Sequence, residues 1–339
     1  MEYRYIGKSG LRVTPICLGT MTFGSSTGKK EAFEILDIAY DRGINFYDTA
    51  ELYPVPPEAK TAGVTETIVG EWLKTKPRDS IILATKVAGA ASGWFVPPIR
   101  HGLTAMDRFH IEKAVEGSLK RLQTDYIDLY QMHWPDTVVP IEETMEAFDR
   151  LVRRGLVRYI GTSNDTAYGL TKANEIARFK GFARFESIQN NFSVLNPRFF
   201  DELATVCKRE QVSLLPYSPI AGGVLSGKYN NKFIPEDARF SVYLKHGNKR
   251  VRTHATKFYN EKTLKATELF LDVAKKYDIH PVTLAVAYSK SFDFIASTII
   301  GARKKEQLDA SLDALELKLD KVVLEEIKKI QAEILYPMG

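Results

Sequence analysis

Eight short apolar runs, each ending in polar or glycine residues and each followed by a segment with helical apolar spacing, predict an α/β protein built as a (β/α)8 TIM barrel. Near-continuous apolar strands argue for a parallel sheet covered by helices. Eight units favour closure into a barrel over an open doubly wound sheet. The strands are expected at 16–18, 44–47, 81–85, 126–131, 157–160, 187–189, 213–216 and 297–300. Between them, 31–41, 65–74, 111–122, 141–153, 170–179 and 198–208 carry the apolar repeat of amphipathic helices. Several of these stop at a glycine, as at Gly43, Gly155 and Gly181, where a left-handed residue ends the helix.

Ahead of the barrel, residues 3–6 and 11–14 flank Lys8-Ser9-Gly10 and read as an N-terminal β-hairpin that plugs or caps the fold. Three connections exceed barrel norms: 54–64, 88–109 and 218–263. All three leave the carboxyl ends of strands, so these long loops share the C-terminal face. Pro54, Pro56, Pro57, Trp94, Phe95, Pro97 and Pro98 make the first two stiff and aromatic, and Trp94, Phe95 and Trp134 are candidate pocket walls. No internal repeat beyond the β/α unit and no break in composition divides the chain, so 1–339 reads as a single domain. Its core is expected to include Phe46, Ile82, Leu83, Ile127, Leu129, Ile160, Leu215 and Ile299.

The 339 residues are 44% hydrophobic and 26% charged, the balance of a globular protein with a large core. A net charge of +5 without a long basic run speaks against nucleic acid and suits a phosphate-bearing small ligand. Cys17 and Cys207 are too few for a disulfide framework or a thiolate metal cage, which fits a reducing compartment and a cytoplasmic location. The N-terminus lacks a signal-peptide pattern, and no run of about 20 apolar residues offers a membrane span. No motif fixes an oligomeric state.

The carboxyl ends of barrel strands are where such a fold places its working residues. Here they carry Gly19-Thr20-Met21, Asp48, Lys86, His133, Ser163-Asn164, Gln189-Asn190, Tyr217-Ser218 and Gly301-Ala302-Arg303. Taken alone, Asp48 reads as a helix cap or turn former, and His133 as a structural histidine. Lys86 follows Ile-Ile-Leu-Ala-Thr, so its stem leaves a buried strand and its ammonium needs a carboxylate, for which Asp48 is the natural partner. A phenol beside that ammonium, Tyr53, makes a tunable acid whose pKa is expected to fall from about 10. His133 supplies a hydrogen-bond donor for a carbonyl oxygen. Carbonyl reduction needs this proton chemistry together with a hydride donor from outside the protein.

At these residues the sequence resembles the aldo-keto reductase superfamily, from about Tyr3 to the last helix. The matching motifs are Gly43-Ile-Asn-Phe-Tyr-Asp48-Thr-Ala-Glu-Leu-Tyr53, Ile-Leu-Ala-Thr-Lys86, Asp-Leu-Tyr-Gln-Met-His133, Gly-Thr-Ser163-Asn164, Gln189-Asn190, Pro-Tyr217-Ser-Pro and Ile-Ile-Gly301-Ala-Arg303. The proline loop after Tyr53 and the segment Gly222-Gly-Val-Leu-Ser-Gly-Lys-Tyr229 look like the bacterial Tas-like and potassium-channel β-subunit branch. The resemblance implies a catalytic tetrad of Asp48, Tyr53, Lys86 and His133, with NADPH/NADP+ as cofactor and a small-molecule aldehyde or ketone as substrate. It implies that Gly19, Thr20, Met21 and Asp48 border the cofactor, and that Ser163, Asn164 and Gln189 hold the nicotinamide carboxamide. Tyr217 would stack on the nicotinamide ring. Ser218, Pro219, Ile220, Gly222 and Lys228 would close over the pyrophosphate. Gly301, Arg303, Gln307 and Ser311 would hold the adenosine end, with Arg303 in reach of a 2′-phosphate. The chain departs from the family at Ser311, where Asn usually contacts adenine, and at Ala310, where Glu often stands.

Two other classes compete. A regulatory barrel of the channel β-subunit type would hold cofactor with incidental turnover, although that subfamily commonly has Asn in place of His133. A metal-dependent hydrolase needs several His and carboxylate ligands at strand ends, where only Asp48 and His133 stand.

Overall fold

Two-residue alternation along each strand sorts side chains between the inside of a barrel and the layer beneath its helices. A computed structural model of the chain describes residues 2–90, 99–231 and 234–338. A short antiparallel hairpin, β1 (Arg4–Tyr5) and β2 (Arg12–Val13), comes first. Eight parallel strands follow: β3 (Ile16–Gly19), β4 (Phe46–Asp48), β5 (Ile82–Val87), β6 (Ile127–Met132), β7 (Val157–Ser163), β8 (Phe185–Gln189), β9 (Ser213–Leu214) and β10 (Thr298–Ile300). They are hydrogen-bonded in the order β10-β3-β4-β5-β6-β7-β8-β9. Bridges from Leu214 to Ile295 and from Tyr217 to Ile299 join the two ends, with Ile299 N donating to Pro216 O at 2.8 Å.

The inward residues change character up the barrel. Cys17, Phe46, Ala84, Leu129, Leu215 and Ile299 form an apolar layer, and Ile6, Leu11 and Val13 of the hairpin pack against it and plug the amino-terminal end. Two residues further along the same strands stand Gly19, Asp48, Lys86, Gln131, Tyr217 and Gly301. One pleat therefore separates a dry floor from a polar mouth. Outside the sheet, α1 (Lys29–Asp41), α2 (Val64–Leu73), α3 (Arg108–Leu122), α4 (Ile141–Arg153), α5 (Ala167–Lys180) and α6 (Leu203–Glu210) bury their apolar stripes on the larger core. Side-chain caps set several starts: Asp107 accepts from His110 N at 2.8 Å, and Thr166 from Gly169 N at 3.0 Å.

Several expectations need correction. The second strand does not begin at Ile44, whose N–H still closes the end of α1 on Ala39 O, and it includes Asp48. Lys86, Ser163 and Gln189 likewise lie within the ends of their strands. Residues 198–208 are not one helix: a 3-10 turn, Arg198–Phe200, precedes α6, because Phe199 and Phe200 turn into an aromatic cluster with Phe192, Phe292 and Phe294. Ile82 is only half-buried, at the open lower rim of β5, while the other seven expected core residues are buried. Phe46, Leu129, Leu215 and Ile299 fill the barrel, whereas Leu83, Ile127 and Ile160 belong to the layer beneath the helices.

The 218–263 connection carries structure of its own: a 3-10 turn Ala221–Ser226, then α7 (Arg239–Leu244) and α8 (Lys249–Phe258). The chain ends with α9 (Glu261–Lys276), α10 (Pro281–Lys290), α11 (Asp309–Leu312) and α12 (Lys321–Glu333). Trp94, Phe95, Pro97 and Pro98 lie outside the described residues. Among the described residues no helix is long and apolar enough to cross a membrane, and no group of three or more potential ligands could hold a metal ion.

Candidate active site

Burying a lysine is costly unless its charge is met, and Lys86 is fully buried. Its Nζ donates to Asp48 Oδ2 at 2.5 Å, to Thr49 O at 2.8 Å and to Tyr53 OH at 3.4 Å. Burial alone would discharge this ammonium, but Asp48 and Tyr53 offset it and hold Lys86 above its ordinary range. A buried ion pair is weak evidence for stability and better evidence for a site. The Tyr53 ring also lies 5.0 Å from the ammonium, measured to its centroid.

Tyr53 behaves otherwise than expected. Burial pushes the phenol above its usual range, and the pull of Lys86 does not reverse that in the free protein, where Asp48 adds to the rise. The expected downward tuning is overturned because desolvation outweighs the ammonium. His133, nearly fully buried, faces Tyr53 edge-on with ring centroids 5.7 Å apart and stacks on Trp134 at 3.8 Å. Burial and then Lys86 hold its imidazolium pKa well below the ordinary value, so the ring is neutral. Its Nδ1 has no hydrogen-bond partner among the described residues. Asp48, Tyr53, Lys86 and His133 thus meet at one point. Met21, Val55, Ile99 and Trp134 wall the space around Tyr53.

Two features close to Asp48 escaped the sequence reading. Gln131, on β6, donates to Asp48 Oδ1 at 3.1 Å. Glu51, between Asp48 and Tyr53, accepts from Ala88 N at 2.6 Å and grips both ends of the Arg100 guanidinium at 2.8 and 2.9 Å. That fork ties the loop after β4 to the loop after β5. The signal available was a polar residue inside each apolar motif.

The residues assigned to the carboxamide hold one another. Ser163 Oγ donates to Gln189 O at 2.7 Å, and Asn164 Nδ2 donates to His133 O at 2.9 Å and Ser163 Oγ at 3.1 Å. Tyr217 OH donates to Asn164 Oδ1 at 2.7 Å. Gln189 spends its amide nitrogen on Asp48 Oδ1 at 2.8 Å and keeps its oxygen to accept. Thr20 Oγ1 is turned to Asp48 O at 3.0 Å, and Met21 O accepts from Val55 N at 3.0 Å.

A second cluster lies beyond the 3-10 turn. Lys228 is half-buried, and burial, then Arg239 and Arg303, push its pKa down, with Asp237 opposing. Arg303 Nη2 pairs with the Asp237 carboxylate at 3.6 Å, and cations outnumber that carboxylate around Lys228, an arrangement that suits an anion. Arg303 Nη1 donates to Asp237 O at 2.7 Å, and its backbone N–H donates to Gln307 Oε1 at 2.9 Å. Arg239 was not foreseen. Gly222 and Gly223 turn with φ of 66° and 102°, and a Cβ on Gly223 would stand 2.8 Å from Lys228 Nζ. A Cβ on Gly19 would stand 2.7 Å from Ile299 Cγ2. Ser218, Pro219 and Ile220 lead into the turn, Gly301 is exposed beside Gly19, and Ser311 is buried with its N–H on Leu308 O at 2.9 Å. Bare glycine backbone, a run of amides and a cationic end together fit a dinucleotide.

Barrel and site define a class, the β/α-barrel oxidoreductases. The chain belongs to the aldo/keto reductase family, whose model matches residues 15–332. It is similar to Protein tas of Escherichia coli (strain K12), 38% identical over 99% of each chain. It is also similar to the uncharacterized oxidoreductase YrpG of Bacillus subtilis, 37% identical over 97% of this chain and 96% of that one. A probable voltage-gated potassium channel subunit beta of Oryza sativa subsp. japonica is 30% identical over 98% of this chain and 97% of its own. Enzymes of this family generally use NAD(P)H on small-molecule substrates.

Proposed function

We propose that the chain reduces an aldehyde or ketone to an alcohol with NADPH, Tyr53 giving the proton. The observation that carries this reading is the buried Lys86 ammonium set between the Asp48 carboxylate and the Tyr53 phenol. A bound nicotinamide would supply the hydride to the carbonyl carbon. The residues do the rest. Neutral His133 donates a hydrogen bond to the carbonyl oxygen and holds it against the phenol. Tyr53 OH passes its proton to that oxygen as negative charge develops on it. Lys86 stabilises the phenolate left behind, and Asp48 keeps the ammonium in place without a net buried charge.

For the cofactor, the Gln189 oxygen and the Ser163–Asn164 pair meet the carboxamide, and Tyr217 offers a ring face. The Lys228–Arg239–Arg303 cluster meets the phosphates, with Arg303 reading a 2′-phosphate, so the proposed cofactor is NADPH. The proposed setting is cytoplasmic, with a small carbonyl compound as substrate and the whole chain acting as one domain.

The name of the rice relative supports a second reading, a regulatory barrel that binds cofactor with incidental turnover. NADPH consumption measured against a panel of aromatic and aliphatic aldehydes separates the two. Turnover with at least one aldehyde that disappears in Tyr53→Phe supports the reductase. Tight NADPH binding with no turnover beyond the Tyr53→Phe background would sink it.

A further inference from the structure

Two primary amides converge on the oxygen of Asp48 that Lys86 leaves free. Gln131 Nε2 donates to Oδ1 at 3.1 Å, and Gln189 Nε2 donates to the same atom at 2.8 Å. Gln189 Nε2 also reaches Gln131 Oε1 at 3.2 Å, so the three side chains close a triangle. Gln131 is fully buried, inward on β6 between Leu129 and His133. A buried amide is costly unless its groups are paired, and here both ends are. Turning the amide over would set its oxygen against the carboxylate and its NH2 against that of Gln189, so one orientation alone satisfies both contacts. The neighbouring strand leaves room for it: a Cβ on Gly161 would lie 3.5 Å from Gln131 Cγ and collide with Ser187 Oγ.

We infer that Gln131 is a positioning residue for proton delivery: together with Gln189 it fixes the rotation of the Asp48 carboxylate and aims Oδ2 at Lys86, and its own donation to Oδ1 weakens the negative field that Asp48 casts on Tyr53. This rests on the reading of Asp48, Lys86 and Tyr53 as the proton-delivery group. A carboxylate held at one oxygen can swing about Cβ–Cγ, whereas one held at both cannot. A nearby negative charge disfavours phenolate, and an N–H dipole pointed at that charge partly cancels it.

Gln131→Met keeps the side-chain volume and removes the donor. It is expected to lower kcat about tenfold, the worth of a hydrogen bond to a charged group, while changing NADPH affinity by less than about threefold. With Asp48 less screened, Tyr53 becomes harder to ionise. Its titration in the cofactor-free protein, read as a phenolate difference spectrum against Tyr53→Phe, should move to higher pH, and the alkaline limb of kcat should follow. Gln131→Glu is the near-isosteric variant. Its introduced carboxyl donates to Asp48 while protonated and repels it once ionised, so kcat should approach wild type at low pH and fall through an acidic-side transition that wild type lacks. Space-filling alone would move neither titration. If the variants fold with wild-type melting and both the phenolate titration and the pH profile superimpose on wild type, the inference is overturned. Should Gln131→Met not fold, the presence or absence of the new transition in Gln131→Glu decides. Turnover surviving in Tyr53→Phe would instead overturn the tetrad reading and this inference with it, so the two failures are distinguishable.

Discussion

Tyr53 is pulled in two directions, and the balance decides what it can do. Burial raises its pKa and Lys86 draws it down, and in the free protein burial wins. A proton donor must hold its proton at working pH, so this direction serves reduction. The expected kcat/KM for a carbonyl substrate is therefore flat through neutral pH and falls only on the alkaline side, as the Tyr53–Lys86–Asp48 group gives up its proton. A fall near neutral pH would contradict the titration inferred for the site. Tyr53→Phe should keep NADPH binding and lose about 10²–10⁴ in rate, the usual worth of a general acid. More than about a tenth of wild-type turnover, in an assay limited by chemistry and not by product release, would remove Tyr53 from the role. At the other end of the cleft, Arg303→Ala should weaken NADPH by roughly tenfold to a hundredfold and NADH little, because only NADPH carries the group a guanidinium grips through two bonds. Fluorescence titrations that weaken both cofactors alike would make Arg303 a structural partner of Asp237 and nothing more.

Elements show why some of this was legible from sequence and some was not. All eight strands were readable because each is an apolar run ending at a polar residue or a glycine, and the alternation that places Phe46 inside also places Asp48 two residues above it. The break between Arg198–Phe200 and α6 was not, since a helical repeat cannot reveal that Phe199 and Phe200 find a better place among other aromatics. Arg239 was hidden in a long connection with no period to read, and Arg303, the other cation near Lys228, comes from a segment distant in sequence. Gln131 was passed over because a polar residue within a largely apolar strand shows its purpose only when Asp48, from another strand, is seen against it. Inward and outward register yields a test of its own. Leu129→Ala, fully inside the barrel, should cost about 2–5 kcal/mol, and Ile82→Ala, at the half-buried rim, clearly less. Equal losses in denaturant melts would contradict the inside-out assignment of the strands. Packing between helices is as exacting. A Cβ on Gly70 of α2 would stand 2.7 Å from Leu122 Cα at the end of α3, so Gly70→Ala should destabilise by about 1–3 kcal/mol. An unchanged melt would mean that the two helices can move apart freely.

The proposed cofactor site draws on residues from Gly19 to Ser311, so a ligand seated there would touch most strands of a barrel closed by β9 and β10 and floored by the hairpin. A ligand that binds only the folded protein stabilises it by mass action, about 2.7 kcal/mol at a hundred times its dissociation constant. For a chain of this length, with an unfolding entropy of about 2 cal/mol/K per residue, that corresponds to a rise of about 4 °C in Tm. If the chain is one domain, the whole melt should move together. Calorimetry with NADPH should show a single transition displaced upward, and Arg303→Ala should shrink the displacement for NADPH towards that for NADH. The insert holding α7 and α8 is the sharpest part of the test, because Arg239 belongs to it and stands close enough to Lys228 to lower its pKa. A separate transition that ignores the cofactor would divide the chain into independent units and leave α7 outside the binding site. A displacement equally large for NADH and NADPH in wild type would retain the single domain and discard the 2′-phosphate as the feature the cationic cluster recognises.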